Sequence, residues 1–182
     1  MVVARARQSW SNRRVIRVHT FESPIGPLTA AERAGRLCLL HFGADGADVD
    51  RMFDRWYRGE PRNRQPLPEV GAVLTRYFAG ETTAIDEIAV ELNGTPFQKT
   101  VWAALRRIPC GTTISYGELA KRIGEPSAVR AVGTANGANP VALVVPCHRV
   151  IGSNGSLTGY GGGLDRKQWL LTHEGVIARQ LF

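Results

Sequence analysis

From Thr95 onward, helix starts and stops follow so closely that only short helices joined by tight turns can satisfy the sequence. Thr95-Pro96-Phe97-Gln98 sets a capping threonine, a proline at the first helical position and a glutamine at the third. That is a capping box. Phe97, Val101, Leu105 and Ile108 then share one face, which predicts a helix packed on a core and ended by Pro109 and Gly111. Ser115-Tyr116-Gly117-Glu118 reads as a second capping box, opening a short helix that runs through Ile123 and stops at Gly124. Ser127 is read as the cap of a third helix, Ala128 to Asn136, ended by Gly137. Two short helices joined by Gly124-Glu125-Pro126-Ser127 match helix-turn-helix spacing, although ordinary helix packing produces the same pattern. The second of them is smooth: Ala128, Ala131, Gly133 and Ala135 are small, and Arg130 is its only charge. Such a surface suits close approach to a groove of DNA.

Beyond the turn Asn136-Gly137-Ala138-Asn139-Pro140, the apolar run Val141–Val145 reads as a buried strand that delivers Pro146-Cys147-His148-Arg149-Val150 at its end. The glycine-rich stretch Gly159-Tyr160-Gly161-Gly162-Gly163 lacks the spacing and the lysine of a phosphate loop, and so is better used to let backbone approach a flat ligand. A last helix is expected from Leu164 to Glu174, closed by Gly175.

The first half is punctuated differently. Val15–Phe21 is β-prone, Ser23–Pro27 is a turn and Leu37–Phe42 is a short apolar run. Helical spacing follows from Val49 to Trp56 and from Leu67 to Phe78, with Gly80 as a stop, and Ile85–Leu92 is read as a further strand. The fold class is therefore α/β (α+β). A small N-terminal α/β domain, residues 1–92, precedes a mainly helical C-terminal domain, 93–182, with the break at Asn93-Gly94. Residues 1–14 are expected to form a flexible basic tail; Arg5, Arg7, Arg13, Arg14 and Arg17 lie in this opening segment.

The 23 basic and 16 acidic side chains leave a net charge of +7, which fits a polyanionic partner or a merely basic soluble protein. No apolar run reaches the roughly eighteen residues that a membrane helix needs, and the N-terminus has no apolar secretory core, so a cytoplasmic location is expected. Three scattered cysteines fit neither a disulfide framework nor a four-cysteine metal site. Cys38 lies in an apolar run and reads as core; Cys110 follows Pro109 in a turn and has no evident partner.

Cys147 differs by its polar and basic neighbours. A thiol becomes a strong nucleophile as its thiolate, which needs a base or positive surroundings. Adjacent side chains usually diverge, so His148 would reach the sulfur through a bridging water; an inert buried cysteine beside a surface histidine fits the tetrapeptide equally well. Glu174, in the last turn of a helix, opposes the macrodipole and calls for a compensating partner. His148, His173 or solvent could serve.

The run Val145-Pro146-Cys147-His148-Arg149-Val150 resembles the active-site motif of the O6-alkylguanine-DNA alkyltransferases. The resemblance extends through Ser115-Tyr116, Arg130-Ala131-Val132-Gly133, Asn139-Pro140, Tyr160-Gly161-Gly162-Gly163 and Trp169-Leu170-Leu171 to His173-Glu174-Gly175. Ser23-Pro24-Ile25-Gly26 is a weaker match in the first half. The resemblance implies a ribonuclease H-like first domain and a helix-turn-helix second domain. It implies single-turnover repair of O6-alkylguanine, and of O4-alkylthymine, in double-stranded DNA by irreversible transfer of the alkyl group from the flipped base. It implies Cys147 as acceptor, His148 as base through a water, and Glu174 as the group that orients that histidine. Tyr116 would donate to guanine N3, Asn139 would tie down the turn before the cysteine, and Arg130 would fill the gap left in the base stack. Ala128, Gly133, Thr134 and Ser115 would lie against DNA, and Val150, Tyr160, Gly161 and Asn136 would line the base pocket. No cofactor, metal or membrane is implied. A monomer is expected, with cooperativity on DNA left open.

This sequence departs from the pattern in places. Relatives that bind zinc use cysteines and histidines of the first domain, where Cys38 is the only cysteine here. Asn136 and Ala142 stand where some relatives carry a bulkier apolar residue and a proline, which leaves open which alkyl groups and free-base inhibitors fit. Rival readings are a binding-only relative, which would have tryptophan in place of Cys147, a helix-turn-helix regulator, and a cysteine hydrolase.

Overall fold

The computed structural model describes residues 15–178, so the expected tail at 1–14 lies outside the described residues. Three strands open the described residues: β1 (Ile16–Phe21), β2 (Leu28–Arg33) and β3 (Arg36–Phe42). They pair antiparallel in the order β3-β2-β1. Arg17, expected near the tail, belongs to β1 and pairs with Glu32 across the sheet. The β2–β3 hairpin turns through Ala34 and Gly35, both with positive φ (50° and 78°). Such a turn has the twist that a two-residue hairpin favours. Opposite Ala31/Glu32 the register shifts, leaving Cys38 as an extra residue, so that Cys38 and Leu39 both face the same side. A short strand β4 (Arg62–Arg64) joins the other edge, parallel to β1.

Each face of this sheet is covered. On one side α1 (Ala47–Trp56) buries Val49 and Phe53 against Ile16, Val18, Cys38 and Leu39. On the other side lie α2 (Pro68–Phe78), whose stripe Val70, Leu74 and Tyr77 is buried, and the core-forming residues of the second half of the chain. The stretch expected as a strand at Ile85–Leu92 is instead a 3₁₀ turn, Ala84–Glu87, followed by one isolated bridge, Leu37 to Val90. Ala84 and Ile85 are consecutive and both buried, which the alternation of a half-buried strand does not allow.

The second half stacks α3 (Pro96–Leu105), α4 (Tyr116–Arg122), α5 (Val129–Gly137) and α6 (Leu164–His173). The Thr95 capping box is complete, with both reciprocal hydrogen bonds formed. At α4 only half of the expected box forms: Ser115 Oγ accepts from Glu118 N at 3.1 Å, while the Glu118 carboxylate meets Arg122. Ser127 does not cap α5; the cap position is Ala128, without a side-chain bond. Trp102 of α3 is fully buried, donates to Ala135 O at 2.8 Å and meets Trp56 edge-on, tying the two halves together. Gly94 lets this happen, since a Cβ there would lie 2.6 Å from the Trp102 ring.

The run Val141–Val145, expected as a strand, is a buried turn. Only Val141 bridges to β3, at Leu40, and Leu143 takes a φ of 66°. A continuous apolar run marks burial without fixing the period, and here the backbone doubles back to aim Cys147 inward. Among the described residues no helix is long and apolar enough to cross a membrane.

Candidate active site

Cys147 opens a single 3₁₀ turn, Cys147–Arg149, that leads into β6 (Val150–Ile151). β6 pairs parallel with β5 (Ile114–Ser115), and this short ladder places Tyr116, the next residue, beside the segment that follows the cysteine. Asn139 fixes the approach. Its Oδ1 accepts from Val141 N at 3.0 Å, and its Nδ2 lies 2.7 Å from Val145 O and 3.1 Å from Cys147 Sγ. One amide thus holds the turn closed and donates to the sulfur. Burial raises the Cys147 thiol above its ordinary value, while the Asn139 bond and the charge of Lys167 pull it down. In this state the sulfur is a guarded thiol.

His148 and Glu174 are both buried, and Nε2 lies 3.0 Å from Glu174 Oε1. A carboxylate can only accept, so Nε2 carries the proton and Nδ1 offers a lone pair. That Nδ1 is buried and has no partner among the described residues. Burial lowers the histidine below its ordinary value, although Glu174 pulls the other way. A neutral imidazole with one free basic nitrogen is what a proton acceptor requires. Asn136 Oδ1 and Tyr160 Oη are likewise buried and unpartnered among the described residues, and Asn136 Nδ2 is 3.5 Å from Cys147 O. Polar atoms left open beside a cysteine suit a polar ligand.

Glu174 holds more than the histidine. Arg149 grips it with both prongs, Nε to Oε2 at 2.8 Å and Nη2 to Oε1 at 2.9 Å, and donates Nη1 to Ile108 O at 2.7 Å. Tyr77, from α2, donates to Oε1 at 2.9 Å. Burial would raise the Glu174 carboxyl, but hydrogen bonds from His148 and Arg149 outweigh it and hold the group well below the usual carboxylate range. The compensation that the helix end called for is His148 and Arg149; His173 instead donates Nε2 to Tyr77 O at 2.7 Å.

Lys167 is fully buried, with Nζ donating to Val150 O at 2.7 Å and to Thr158 O at 2.9 Å. It clamps the loop that carries Tyr160 and Gly161 against the strand after Cys147. The Tyr116 hydroxyl lies 3.3 Å from Gly159 O on that loop, and the Tyr160 ring meets Phe42 of β3 edge-on. Gly162 permits this closeness, since a Cβ there would come within 2.6 Å of Phe42.

The structure brings Cys147, His148, Glu174, Asn139, Asn136, Tyr116, Tyr160 and Val150 into one region. Arg130 and Thr134 are exposed on α5, Ala128 and Gly133 are half-buried there, and Ser115 is committed to capping α4. Gly161 is exposed at the loop. Sequence reasoning missed Tyr77 and Lys167 and took Arg149 only as a basic neighbour. One of them had a signal: Lys167 recurs with Leu170, Leu171 and the capping residue Glu174 at i, i+3, i+4 and i+7, so a lysine occupies the apolar stripe of α6.

These shifts fix a pH dependence. The unfolded chain protonates His148 as pH falls through its ordinary 6.5, whereas the buried ring resists; stability present above 6.5 is lost below it. Glu174 adds a second loss, beginning as pH falls through its ordinary 4.5 and ending at its lower folded value. Urea unfolding across pH should show stability declining as pH falls from about 6.5, with a second loss setting in below about 4.5. Equal stability at pH 5 and pH 7 would contradict this linkage.

Fold and site together define an α/β protein in which one cysteine, followed in sequence by the histidine of a buried histidine–glutamate pair, sits against a helix-turn-helix. Two family models match the chain. They are the ribonuclease-like domain of 6-O-methylguanine DNA methyltransferase over residues 16–92 and the DNA binding domain of the same over 96–176. The chain is 52% identical over 162 residues to the methylated-DNA--protein-cysteine methyltransferase of Mycolicibacterium paratuberculosis, covering 88% of this chain and 93% of that one. It is 46% identical over 159 residues to the enzyme of the same name from Salmonella typhimurium, covering 85% and 93%. The crystal structure of Mycobacterium tuberculosis O6-methylguanine methyltransferase superposes with a TM-score of 0.74 at 42% identity, covering 91% of this chain and 96% of that one. A structure of the M. tuberculosis OGT in complex with DNA gives 0.73 at 42% identity, covering 89% and 94%. The chain belongs to the 6-O-methylguanine DNA methyltransferase family.

Proposed function

We propose that the chain repairs O6-alkylguanine in duplex DNA by moving the alkyl group, once, onto Cys147. The observation that carries this reading is the relay around the sulfur: a guarded thiol, a neutral histidine with a free Nδ1, and a carboxylate that holds the other nitrogen. Duplex DNA hides O6, so the base flips into the pocket at a cost of a few kcal/mol. Arg130, exposed on α5, enters the stack in its place. The thiol proton passes through a bridging water to His148 Nδ1, and Glu174 stabilises the imidazolium. Sγ attacks the alkyl carbon, the carbon–O6 bond breaks, and the electron pair stays on guanine. Tyr116 donates to N3 as that charge develops. Guanine then regains a proton and the chain keeps a thioether.

Val150, Tyr160, Gly161 and Asn136 line the base site, Ala128, Gly133, Thr134 and Ser115 lie toward DNA, and Asn139 keeps the turn before the cysteine closed. The division between residues 92 and 93 separates the part that supports the site from the part that contacts DNA. The chain works as a monomer, in the cytoplasm, where its substrate is DNA.

Duplex DNA with a labelled methyl on guanine O6 tests the reading. Label should move to the protein, and Arg130→Ala should slow that transfer by at least about tenfold, since the vacated stack goes unfilled. Reaction with free O6-benzylguanine should change far less. Label released as methanol would point to a hydrolase, and equal loss on both substrates would remove Arg130 from the flipping step.

A further inference from the structure

The first domain reaches into the relay. Tyr77 is fully buried at the end of the α2 stripe, and its hydroxyl donates to Glu174 Oε1 at 2.9 Å. The same oxygen accepts from His148 Nε2 at 3.0 Å and Arg149 Nη2 at 2.9 Å. The ring cannot drift: it meets His173 and Phe78 edge-on, and His173 ties down the Tyr77 carbonyl. Behind it, Gly71 packs α2 so tightly on Phe21 that a Cβ would lie 2.8 Å from that ring.

We infer that Tyr77 is a positioning residue through which the first domain sets how strongly Glu174 holds the proton-accepting His148. This rests on the reading of Cys147 as alkyl acceptor. An oxygen accepting three donors shares its negative charge among them. The hydroxyl is the one neutral donor of the three that cannot itself take up the thiol proton, so it moderates the pull on His148 without competing for that proton. Remove it, and Glu174 favours the imidazolium more. His148 then stays protonated to higher pH, and protonated it accepts nothing. The other titratable groups facing this cluster are Cys110, Lys167 and Tyr160, with His173 on the far side of the ring. They are unchanged in Tyr77→Phe, so the variant isolates the hydroxyl.

The test is the pH profile of alkyl transfer from methylated duplex DNA to the full chain, wild type against Tyr77→Phe. A neutral hydrogen bond of ordinary strength moves the acid limb upward by about half a pH unit, with the plateau rate within roughly threefold. Titration of the His148 ring followed by ¹⁵N NMR should move in the same direction. A merely structural role would lower the rate by one factor at every pH and leave the limb in place. Should Tyr77→Phe fold poorly, 3-fluorotyrosine at position 77, a stronger donor, should move the limb downward. A limb and a histidine titration that match wild type with either replacement overturn the inference. A wild-type chain that takes no methyl onto Cys147 overturns the reading beneath it.

Discussion

Replacing Arg149 with methionine should cost the fold about 3–5 kcal/mol and lower Tm on the order of 10 °C. Removing one partner from a buried pair strands the other, and here Glu174 would keep its charge with only His148 and Tyr77 as donors. Ile108 O would lose its donor as well. The contrast is Arg122, whose bond to Glu118 at 3.2 Å lies on the surface of α4. Its replacement should change stability by no more than about 0.5 kcal/mol. Thermal and urea melts of the two variants check this. A loss below about 1 kcal/mol for Arg149→Met would mean that water already reaches the carboxylate, and the sealed relay would be wrong.

The helices were legible because their ends are written locally. Thr95 with Gln98, and Gly175 after Glu174, mark boundaries that need no tertiary partner. The sheet was less so: β2 carries Leu28, Thr29, Ala30 and Ala31 all buried, because both faces are covered, and this erases alternation. Two expected strands failed for different reasons. Val141–Val145 is apolar and buried throughout, and the backbone still chose a turn; in Ile85–Leu92 only Ile85 and Ile88 are buried, three apart, which is the spacing of a helical turn. Within the site, Cys147, His148 and Glu174 could be singled out because each breaks a local rule. Tyr77 broke none. It stands 97 residues from the carboxylate it serves, at an apolar position where a tyrosine looks like ordinary core. Arg149 was hidden by its neighbours, since a charge beside a cysteine reads as electrostatics before it reads as structure.

The other large effect concerns Cys147 itself. Cys147→Ala should abolish alkyl transfer while the chain still binds DNA, because α5 and Arg130 are untouched. Cys38 should stay unmodified: it is fully buried against Tyr57, and burial pushes its thiol up to about 12. Cys110 is half-buried, with its thiol raised by burial and no histidine bonded to it, so it too should stay free. An alkyl group on Cys147 would displace Asn139 Nδ2 from the sulfur and strain a packed site by roughly 1–3 kcal/mol. The alkylated chain should therefore melt lower. A thioether offers water no activated bond, so the chain is consumed. Mass spectrometry of the intact protein and its peptides, after reaction with excess methylated duplex DNA, tests this most directly. The expected result is a plateau at one methyl per chain, all of it on Cys147; a plateau clearly above one, label on Cys38 or Cys110, or continuing turnover would contradict it.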